Sequence, residues 1–304
     1  MKALVTGGNG FIGGYTVDKL LKEGHEVTVF DRFNGNDFFA EHKKVNWWVG
    51  DIRDFTAVNE AVAVHDVVFH CAGVLGTSET INEPRPAIEV NILGSLNIFQ
   101  ACRNYEKKCV YITVGNYWMN NSYSISKTTA ERFAWMFNQE HGTEISVVRA
   151  LNAYGPGQKS KPVRKIMPNF VLPALRGEAI TVYGDGSQIM DMIHVADVAD
   201  VLVRAGTVEH GQYAQQPEKD QDTQFKFDAG TGRDTTVTEI AEIVIACAGS
   251  GSINYVPMRG GEPENSVVLG DPSTLAPLYD GKQPELTSLE DGVAETVEYY
   301  RSLV

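Results

Sequence analysis

The sequence predicts an α/β protein built on a doubly wound parallel sheet, with a smaller α/β domain at its C-terminal end. Two observations carry this prediction. Through the first half of the chain, apolar strand patterns alternate with helical patterns, and the strands fall at residues 2–6, 26–30, 45–49, 67–70, 109–113 and 145–149. After Arg149 the elements become shorter and are separated by prolines and glycines. Strands that alternate with helices are typical of a parallel sheet covered on both faces.

The first strand pattern, Lys2–Val5, leads into glycines at every third position, Gly7, Gly10 and Gly13. The first glycine allows a tight turn, the second lets the backbone approach a pyrophosphate, and the third lets the following helix pack against the sheet. That helix is predicted over Phe11–Lys22, with its N-terminal amides facing the anion. The unit therefore predicts a Rossmann-like dinucleotide site.

An acidic residue follows at the distance that such a site requires. The second strand pattern ends at Asp31, 18 residues after Gly13. A carboxylate there accepts hydrogen bonds from the adenosine ribose hydroxyls and repels a 2′-phosphate, so the sequence predicts NAD rather than NADP. Arg32, which follows directly, weakens that preference.

The composition argues against several classes of function. The chain has 304 residues and a net charge of −13, which opposes binding to nucleic acid or to an anionic membrane. It contains no apolar run long enough to span a membrane, and a strand that starts at residue 2 leaves no room for a signal peptide, so we expect a cytoplasmic protein. The four cysteines lack metal-binding spacing, and we expect free thiols and no metal site.

A tyrosine and a lysine four positions apart open the long helix predicted near 123–140. Tyr123 and Lys127 lie on one helical face, so the ammonium can lower the pKa of the phenol and let it accept a proton from a substrate hydroxyl. A second pair with this spacing, Tyr15 and Lys19, lies in the first helix. Ligands bind beyond the carboxyl ends of parallel strands, and Tyr123 follows such an end on the nicotinamide side. We therefore predict that the later pair is catalytic and the earlier one structural.

The pattern also predicts two domains. Residues 1–150 form the dinucleotide-binding domain, to which residues 188–208 and part of 223–240 return, and residues 151–187 and 241–304 form the substrate-binding domain. Residues 211–222 are polar and aperiodic, which predicts an exposed, mobile loop.

Further motifs are spread over nearly the whole chain. They are Thr6–Gly13, Asp31, Gly50-Asp51, His70-Cys71-Ala72-Gly73, Asn91, Tyr123 with Lys127, Arg149–Pro156, Gly184–Gln188, Asp191–Ala199 and Arg259–Pro263. Together they resemble the extended short-chain dehydrogenase/reductase family, in its nucleotide-sugar epimerase and dehydratase branch. Since the motifs extend beyond the dinucleotide site, the resemblance implies a substrate class as well as a fold.

The resemblance implies an NAD-dependent enzyme that acts on a nucleotide-diphosphate sugar. The catalytic residues would be Tyr123, Lys127 and Thr113. The cofactor would be held by these three and by Gly7, Gly10, Phe11, Ile12, Gly13, Asp31, Arg32, Asp51, Ile52, Cys71, Ala72, Gly73, Leu75, Asn91 and Leu151. The substrate would be held by Asn152, Tyr183, Arg259 and Glu262, with Arg259 on the diphosphate.

The segment after the fifth strand departs from the family pattern. The family usually has a Ser or Thr there that bonds the reacting hydroxyl. Alignment on Tyr117 makes this residue Thr113, which we favour, whereas counting without gaps from Val110 makes it Gly115. Dehydratases of the family carry Asp and Glu directly after the Thr, and decarboxylases carry a Glu, but this chain has Val114 and Gly115.

Epimerisation needs only a tyrosine, a lysine and a hydroxyl donor. The resemblance therefore implies NAD-dependent epimerisation of a UDP- or dTDP-hexose, at C4 through a transient 4-keto sugar. Three alternatives stay open: a dehydratase with atypical acid and base residues such as Glu79 or Cys71, a reductase of small carbonyl compounds, and an inactive NAD-binding sensor.

A second departure concerns the diphosphate. The family usually has an Arg immediately before the Asp that corresponds to Asp191, where this chain has Met190. A basic segment after Gly155-Pro156-Gly157 either restores positive charge at the site or is an ordinary solvated stretch; its cations are Lys159, Lys161, Arg164 and Lys165.

The two long helices, near 86–103 and 123–140, also bear on assembly. Both have more apolar residues than one core-facing stripe needs, namely Val90, Leu93, Leu96 and Ile98 on the first and Phe133, Met136 and Phe137 on the second. In the family that the chain resembles, such helices from two copies pair into a four-helix interface, so we expect a homodimer.

Overall fold

The computed structural model describes residues 1–33, 45–208 and 226–304. Its strands are β1 Lys2–Thr6, β2 Glu26–Asp31, β3 Asn46–Val49, β4 Val67–His70, β5 Lys108–Val114, β6 Ile145–Ala150, β7 Asn152–Tyr154, β8 Ala179–Tyr183, β9 Ile189–Met190, β10 Met192–His194, β11 Lys226–Ala229, β12 Ser252–Val256 and β13 Val267–Val268. Its α-helices are α1 Phe11–Lys22, α2 Phe55–Ala63, α3 Arg85–Ala87, α4 Ser95–Asn104, α5 Ser122–His141, α6 Ile166–Leu175, α7 Val195–Thr207, α8 Val237–Ala248 and α9 Leu289–Arg301. A π-helical stretch, Ile88–Gly94, joins α3 to α4, and a 3₁₀ helix covers Pro272–Tyr279.

Seven of these strands form one parallel sheet in the order β11-β6-β5-β4-β1-β2-β3. The chain builds outward from β1 to β3, returns to β4 beside β1, and builds outward again to β11. The strand order therefore reverses between β1 and β4, which is where doubly wound folds bind their ligands. The predicted fold class is confirmed, and each strand predicted in the first half of the chain corresponds to one of β1–β6.

Side chains of the sheet alternate between two apolar layers, as expected for parallel strands that are covered on both faces. In β1, Leu4 packs into one layer and Val5 into the other. In β5, Tyr111 and Ile112 separate in the same way. Helix α7 packs against α1 and against β5 and β6, while α5 packs against β5 and β6 from the opposite side.

A third apolar cluster lies apart from the two layers of the sheet. It joins α6, α8, α9 and β8 through residues such as Met167, Ile180, Val244 and Val293. The predicted division into two domains stays a prediction, although α7 packs against the sheet and β11 is its edge strand, both in the parts of the chain expected to return to it. The predicted loop 211–222, and residues 223–225 of the returning segment, lie outside the described residues.

Both long helices are present, with one difference. Helix α5 begins where Asn121 accepts a hydrogen bond from the Ser124 amide and ends at Gly142, whose φ of 64° suits glycine. The helix predicted near 86–103 is interrupted by the π-helical stretch. Apolar periodicity does not reveal such a stretch, which is frequent at functional sites.

Candidate active site

A cleft of about 1710 Å³ opens at the carboxyl edge of the sheet. Its wall includes every residue predicted to be catalytic, cofactor-binding or substrate-binding, except Asn91. The residues brought together are Gly7, Gly10, Phe11, Ile12, Gly13, Asp31, Arg32, Asp51, Ile52, Cys71, Ala72, Gly73, Leu75, Thr113, Tyr123, Lys127, Leu151, Asn152, Tyr183, Arg259 and Glu262. The strand register causes this convergence, because Thr6 pairs with His70 and Thr113 with Arg149 at one edge.

The glycine turn has the geometry that a phosphate cradle requires. Gly7 has a φ of +68°, and a Cβ there would come within 2.7 Å of the Ala72 backbone. A Cβ on Gly10 would meet only the Gly7 carbonyl oxygen, at 3.1 Å, so this residue is open to the cleft. Helix α1 starts after Gly10 without a side-chain cap, which leaves its first amides available to an anion.

Asp31 stands at the end of β2 beside this turn. Its Oδ2 accepts a hydrogen bond from the Asn9 amide at 3.1 Å and its Oδ1 accepts one from the Arg32 amide at 2.7 Å. The Arg32 guanidinium lies 5.6 Å from the centroid of the Phe33 ring. Next along the edge, hydrogen bonds from Arg53 hold the pKa of the Asp51 carboxyl below its usual range. These residues fit the adenosine half of NAD, because the Asp31 carboxylate would repel the 2′-phosphate of NADP.

Asn91 does not lie on the cleft wall. It is fully buried, its side-chain oxygen accepts from the Val74 amide at 2.8 Å, and its amide nitrogen donates to the Val74 carbonyl at 3.0 Å and to Ser126 Oγ at 3.0 Å. Asn91 therefore joins the π-helical stretch, helix α5 and the cleft-lining segment Cys71–Leu75. This geometry favours a role for Asn91 in positioning that segment over direct contact with a cofactor.

Tyr123 and Lys127 face the same cleft, but not in the electrostatic state that their spacing predicts. Burial raises the pKa of the Tyr123 phenol, and burial lowers the pKa of Lys127 to about 7. The Lys127 ammonium nitrogen lies 4.2 Å from the centroid of the Tyr111 ring. In the protein without ligands the expected lowering of the phenol pKa by Lys127 does not appear, because desolvation by burial raises that pKa.

This burial makes the stability of the ligand-free protein depend on pH. The pKa of Lys127 is about 7 in the fold and 10.5 in the unfolded chain, so between these values the unfolded state holds the extra proton and stability rises with pH. We expect a rise of about 1.4 kcal/mol per pH unit from this residue. Urea unfolding of the unaltered protein and of Lys127→Met across this range measures it as the difference between the two slopes. Equal slopes would contradict the assignment.

Thr113 is the residue predicted to supply the hydroxyl. It lies on the cleft wall, and its Oγ1 donates a long hydrogen bond of 3.5 Å to the Lys127 carbonyl. The alternative position, Gly115, has no side chain, and an added Cβ there would require the end of the Leu151 side chain to move. The geometry therefore favours Thr113 over Gly115 as the hydroxyl donor.

Sequence reasoning missed a buried ion pair behind these residues. Glu131, one helical turn after Lys127, is 0% exposed and accepts hydrogen bonds from the Arg149 guanidinium, including one of 3.0 Å from Nε. The Arg149 guanidinium carbon lies 4.1 Å from the centroid of the Tyr117 ring. The i, i+4 spacing of Lys127 and Glu131 on α5 was a local signal for a charged pair. Arg149, the ion-pair partner of Glu131, lies on β6 and could not be found from that spacing.

The substrate side of the cleft is polar and densely bonded. Arg259 donates to both carboxylate oxygens of Glu262, at 3.0 and 2.7 Å, and Thr77 Oγ1 donates to the same carboxylate at 2.8 Å. Asn152 Nδ2 donates to the Asp191 carbonyl at 3.0 Å. The Asp191 carboxylate is itself buried among backbone amides, such as that of Gly232 at 2.9 Å, so it stabilises the loops behind the wall.

The earlier Tyr-Lys pair makes contacts within the protein that fit the structural role predicted for it. Tyr15 donates through its hydroxyl to the Pro156 carbonyl at 3.0 Å, and Lys19 forms ion pairs with Asp200 at 2.8 Å and Glu23 at 3.0 Å. Neither side chain lies on the cleft wall.

Comparison with known proteins agrees with this geometry. Residues 3–218 match the family described as "NAD dependent epimerase/dehydratase family". The chain belongs to this family. The family and the fit of the glycine turn and Asp31 identify the cofactor as NAD.

Individual relatives cover nearly the full chain but differ in their reactions. A UDP-N-acetyl-alpha-D-glucosaminuronate decarboxylase from Bacillus cytotoxicus is 26% identical, over 99% of this chain and 98% of its own length. The structure of UDP-glucose 4-epimerase from Thermus thermophilus, in complex with NAD, is 28% identical with a TM-score of 0.83, over 100% of both chains. UDP-glucose 4-epimerase from Thermotoga maritima, with UDP-glucose, is 28% identical with a TM-score of 0.85, over 100% of this chain and 99% of that one.

Two other sequence expectations concern metals and membranes. Among residues 1–33, 45–208 and 226–304 there is no group of three or more His, Cys, Asp or Glu side chains placed to hold a metal ion, and all four cysteines are free. None of the helices in these ranges combines the length and apolar character needed to cross a bilayer.

Proposed function

We propose that the protein is an isomerase that epimerises a nucleotide-diphosphate sugar, a UDP- or dTDP-hexose, at C4 through a transient 4-keto sugar. The observation that carries this proposal is the chemistry present around Tyr123. A phenol, an amine and a hydroxyl, from Tyr123, Lys127 and Thr113, line one cleft. The positions after Thr113, where elimination or decarboxylation would need carboxylates, are Val114 and Gly115.

In the proposed reaction Tyr123 is the general base. Its phenolate takes the proton of the sugar 4-hydroxyl while Thr113 donates a hydrogen bond to the same oxygen. Because burial raises the phenol pKa, the phenolate requires nearby positive charge, which protonated Lys127 provides. Bound NAD⁺ supplies a hydride acceptor and a further positive charge in the same cleft.

The second half of the cycle inverts the sugar carbon. A cleft of about 1710 Å³ leaves room for the 4-keto sugar to turn before it is reduced on its opposite face. Tyr123 then returns the proton to the oxygen, so the carbon is inverted and the cofactor is unchanged at the end of the cycle. No net oxidant is required.

The alternative acid and base residues are poorly placed for elimination. Burial raises the pKa of the Cys71 thiol to about 12, so it remains a thiol at neutral pH. Glu79 is not part of the cleft wall, and its carboxylate accepts hydrogen bonds from the Arg164 amide at 3.0 Å and from Ser78 Oγ at 3.2 Å.

The test is to incubate the protein with UDP- and dTDP-hexoses and NAD and to follow the sugar by NMR and mass spectrometry. We expect epimers at unchanged mass and no net formation of NADH. A deoxy-keto or unsaturated product would indicate a dehydratase. In parallel incubations, loss of CO₂ from an added UDP-uronic acid would indicate a decarboxylase, and stoichiometric consumption of added NADH would indicate a reductase. No turnover with NAD bound would favour an inactive NAD-binding sensor. Each of these results would contradict the proposal.

We further propose a homodimer that pairs α5 and the π-helical stretch of two copies. Leu93 and Ile125 are 52% and 51% exposed on these elements, whereas Ile98 and Phe137, also predicted for the interface, are buried in the core of one chain. Light scattering should give twice the chain mass of 33.4 kDa, and Leu93→Asp should shift the protein to the single-chain mass. A single-chain mass for the unaltered protein would contradict the dimer. The predicted cytoplasmic location stays a prediction.

A further inference from the structure

A histidine that takes no part in the proposed reaction lies directly behind the cleft wall. His70 ends β4 and is 0% exposed, and the next residue, Cys71, lines the cleft. Both ring nitrogens of His70 have a buried hydroxyl within hydrogen-bond distance: Nδ1 lies 2.7 Å from Thr6 Oγ1, and Nε2 lies 2.9 Å from Ser95 Oγ. The ring therefore joins the end of β1 to the start of α4 through two buried hydrogen bonds.

The neighbouring hydrogen bonds determine which nitrogen of the ring carries a proton. The hydroxyl of Ser95 donates its one proton to the Asn91 carbonyl at 2.7 Å, so its oxygen accepts from His70 Nε2. Burial lowers the pKa of His70, so the ring is neutral and Nδ1 accepts from the Thr6 hydroxyl. Thr6 Oγ1 in turn accepts from the Ala72 amide at 3.3 Å. The hydrogen bonds thus follow one direction, from the Ala72 amide to the Asn91 carbonyl.

Thr6, His70, Ser95 and Asn91 form a buried polar chain, since all four are 0% exposed. Thr6 directly precedes Gly7, the first glycine of the turn, and Asn91 lies in the π-helical stretch. The chain therefore connects the glycine turn to the stretch that interrupts the predicted long helix. Loss of any member would leave buried donors or acceptors of its neighbours unpaired, which is costly.

The far end of the buried polar chain reaches α5. The Asn91 side chain bonds both backbone groups of Val74 and donates to Ser126 Oγ. Ser126 Oγ donates in turn to the Tyr123 carbonyl at 3.0 Å. One connected set of hydrogen bonds thus holds the glycine turn, the cleft-lining segment Cys71–Leu75 and the first turn of α5, where Tyr123 lies.

His70 also supports the aromatic ring beside the Lys127 ammonium. The rings of His70 and Tyr111 stack, with centroids 5.5 Å apart and an angle of 27° between their planes. The Lys127 ammonium nitrogen lies 4.2 Å from the centroid of the same tyrosine ring, and the tyrosine hydroxyl donates to the Lys127 carbonyl at 3.1 Å. Both Tyr123 and Lys127 are therefore joined to His70 through a short series of contacts.

We propose that His70 is a positioning residue, which holds the glycine turn and the segment Cys71–Leu75 at a fixed position relative to Tyr123. The ring is not itself a catalytic group, because it does not form part of the cleft wall. Its effect is preorganisation: reacting groups that are held in place avoid the loss in rate that follows from a small displacement. The expected effect on turnover rests on the proposed function, whereas the expected effect on NAD affinity requires only the cofactor.

Two isosteric variants separate the two hydrogen bonds of the ring. In His70→Asn the side-chain oxygen takes the place of Nδ1 and still accepts from Thr6, whereas in His70→Gln the side-chain nitrogen takes the place of Nε2 and still donates to Ser95. His70→Gln loses the bond at the glycine turn, and we expect its affinity for NAD to fall at least about 5-fold. His70→Asn loses the bond toward the π-helical stretch, and we expect kcat to fall at least about 10-fold while KM and NAD affinity stay within about 2-fold.

NAD affinity is measured by calorimetry on protein freed of its nucleotide, and kcat and KM are measured by NMR with the hexose that the unaltered protein converts. His65→Gln is the matched control, because His65 is also buried behind two hydrogen bonds. Its ring nitrogens lie 2.6 Å from the Ala61 carbonyl oxygen and 2.7 Å from Thr28 Oγ1, and none of these residues lines the cleft. This variant should lose stability without a change in NAD affinity, kcat or KM.

Two variants outside the ring repeat the test in a protein that keeps His70. Thr6→Val removes the hydroxyl before the glycine turn and should reproduce the loss of NAD affinity. Ser95→Ala removes the hydroxyl at the start of α4 and should reproduce the loss in kcat. These two variants decide the question if a variant of His70 does not fold.

The outcomes separate this inference from the proposed function. NAD affinity and kcat that match those of His65→Gln in the variants of the chain would overturn the inference, even if the protein epimerises a nucleotide sugar. Equal losses of both properties at both ends of the chain would also overturn it, because they would reflect a general loosening of the fold. A loss of NAD affinity confined to His70→Gln and Thr6→Val supports it, even in a protein that converts no sugar, where only the epimerase proposal would fail.

Discussion

Tyr123→Phe is expected to reduce turnover of the nucleotide sugar by at least about 10³-fold while NAD stays bound, because it removes the only oxygen of the proposed base. The variant keeps the aromatic ring, so the packing of this side chain in the cleft wall is retained. Turnover is measured by NMR with the hexose that the unaltered protein converts, and bound NAD is measured by release of the nucleotide from denatured protein.

Tyr15→Phe is the matched control for this variant. Its hydroxyl donates to the Pro156 carbonyl away from the cleft wall, so its loss should cost no more than about 1.5 kcal/mol of stability and leave turnover within a few-fold. If Tyr15→Phe abolished turnover and Tyr123→Phe did not, the assignment of the two Tyr-Lys pairs would be wrong.

The largest effect on stability is expected from Glu131→Gln. The carboxylate is fully buried and bonds the Arg149 guanidinium, which is itself 9% exposed. The substitution keeps the shape of the side chain but leaves a buried cation without its counter-charge, which costs about 3–5 kcal/mol. Urea unfolding monitored by far-UV circular dichroism measures the change as a lower midpoint at similar slope.

Two further variants make this prediction specific. Glu140→Gln, an exposed position on the same helix, should change stability by less than about 0.5 kcal/mol. The double variant Glu131→Gln with Arg149→Met removes the unpaired charge and should recover part of the loss, as a positive coupling in the double-mutant cycle. A cost for Glu131→Gln no larger than that of Glu140→Gln would show that the pair does not stabilise the fold.

The Glu131 carboxylate also bears on the chemistry. It is one of the groups that raise the pKa of Lys127 against the larger effect of burial. Removing its charge should therefore move the lysine further toward its neutral form. The active-site amine thus depends on an ion pair that does not itself reach the cleft.

Local patterns in the chain were enough to predict the scaffold of the site. Short apolar strands and the glycine turn are encoded over a few residues, and Asp31 lies at the end of a strand whose neighbours are set by the fold class. The carboxyl ends of parallel strands share one edge, so Thr113 and Tyr123 could be assigned to the same cleft from the sequence alone.

The properties that depend on desolvation could not be predicted in this way. Whether Lys127 is charged and whether Asn91 faces a ligand or the protein interior both depend on atoms from distant parts of the chain. The ion pair of Glu131 with Arg149 likewise exists only because α5 packs against β6.

The sequence alone was sufficient for the fold class and for NAD, because these follow from short-range spacing and the shared edge of a parallel sheet; on the same basis it predicts the reacting side chains. The tertiary structure was needed for the pKa shifts of Tyr123 and Lys127 and for the ion pair of Glu131 with Arg149. The physical reason is that the energy of a charge depends on how many neighbouring atoms exclude water from it, and packing supplies those atoms without regard to their order in the chain.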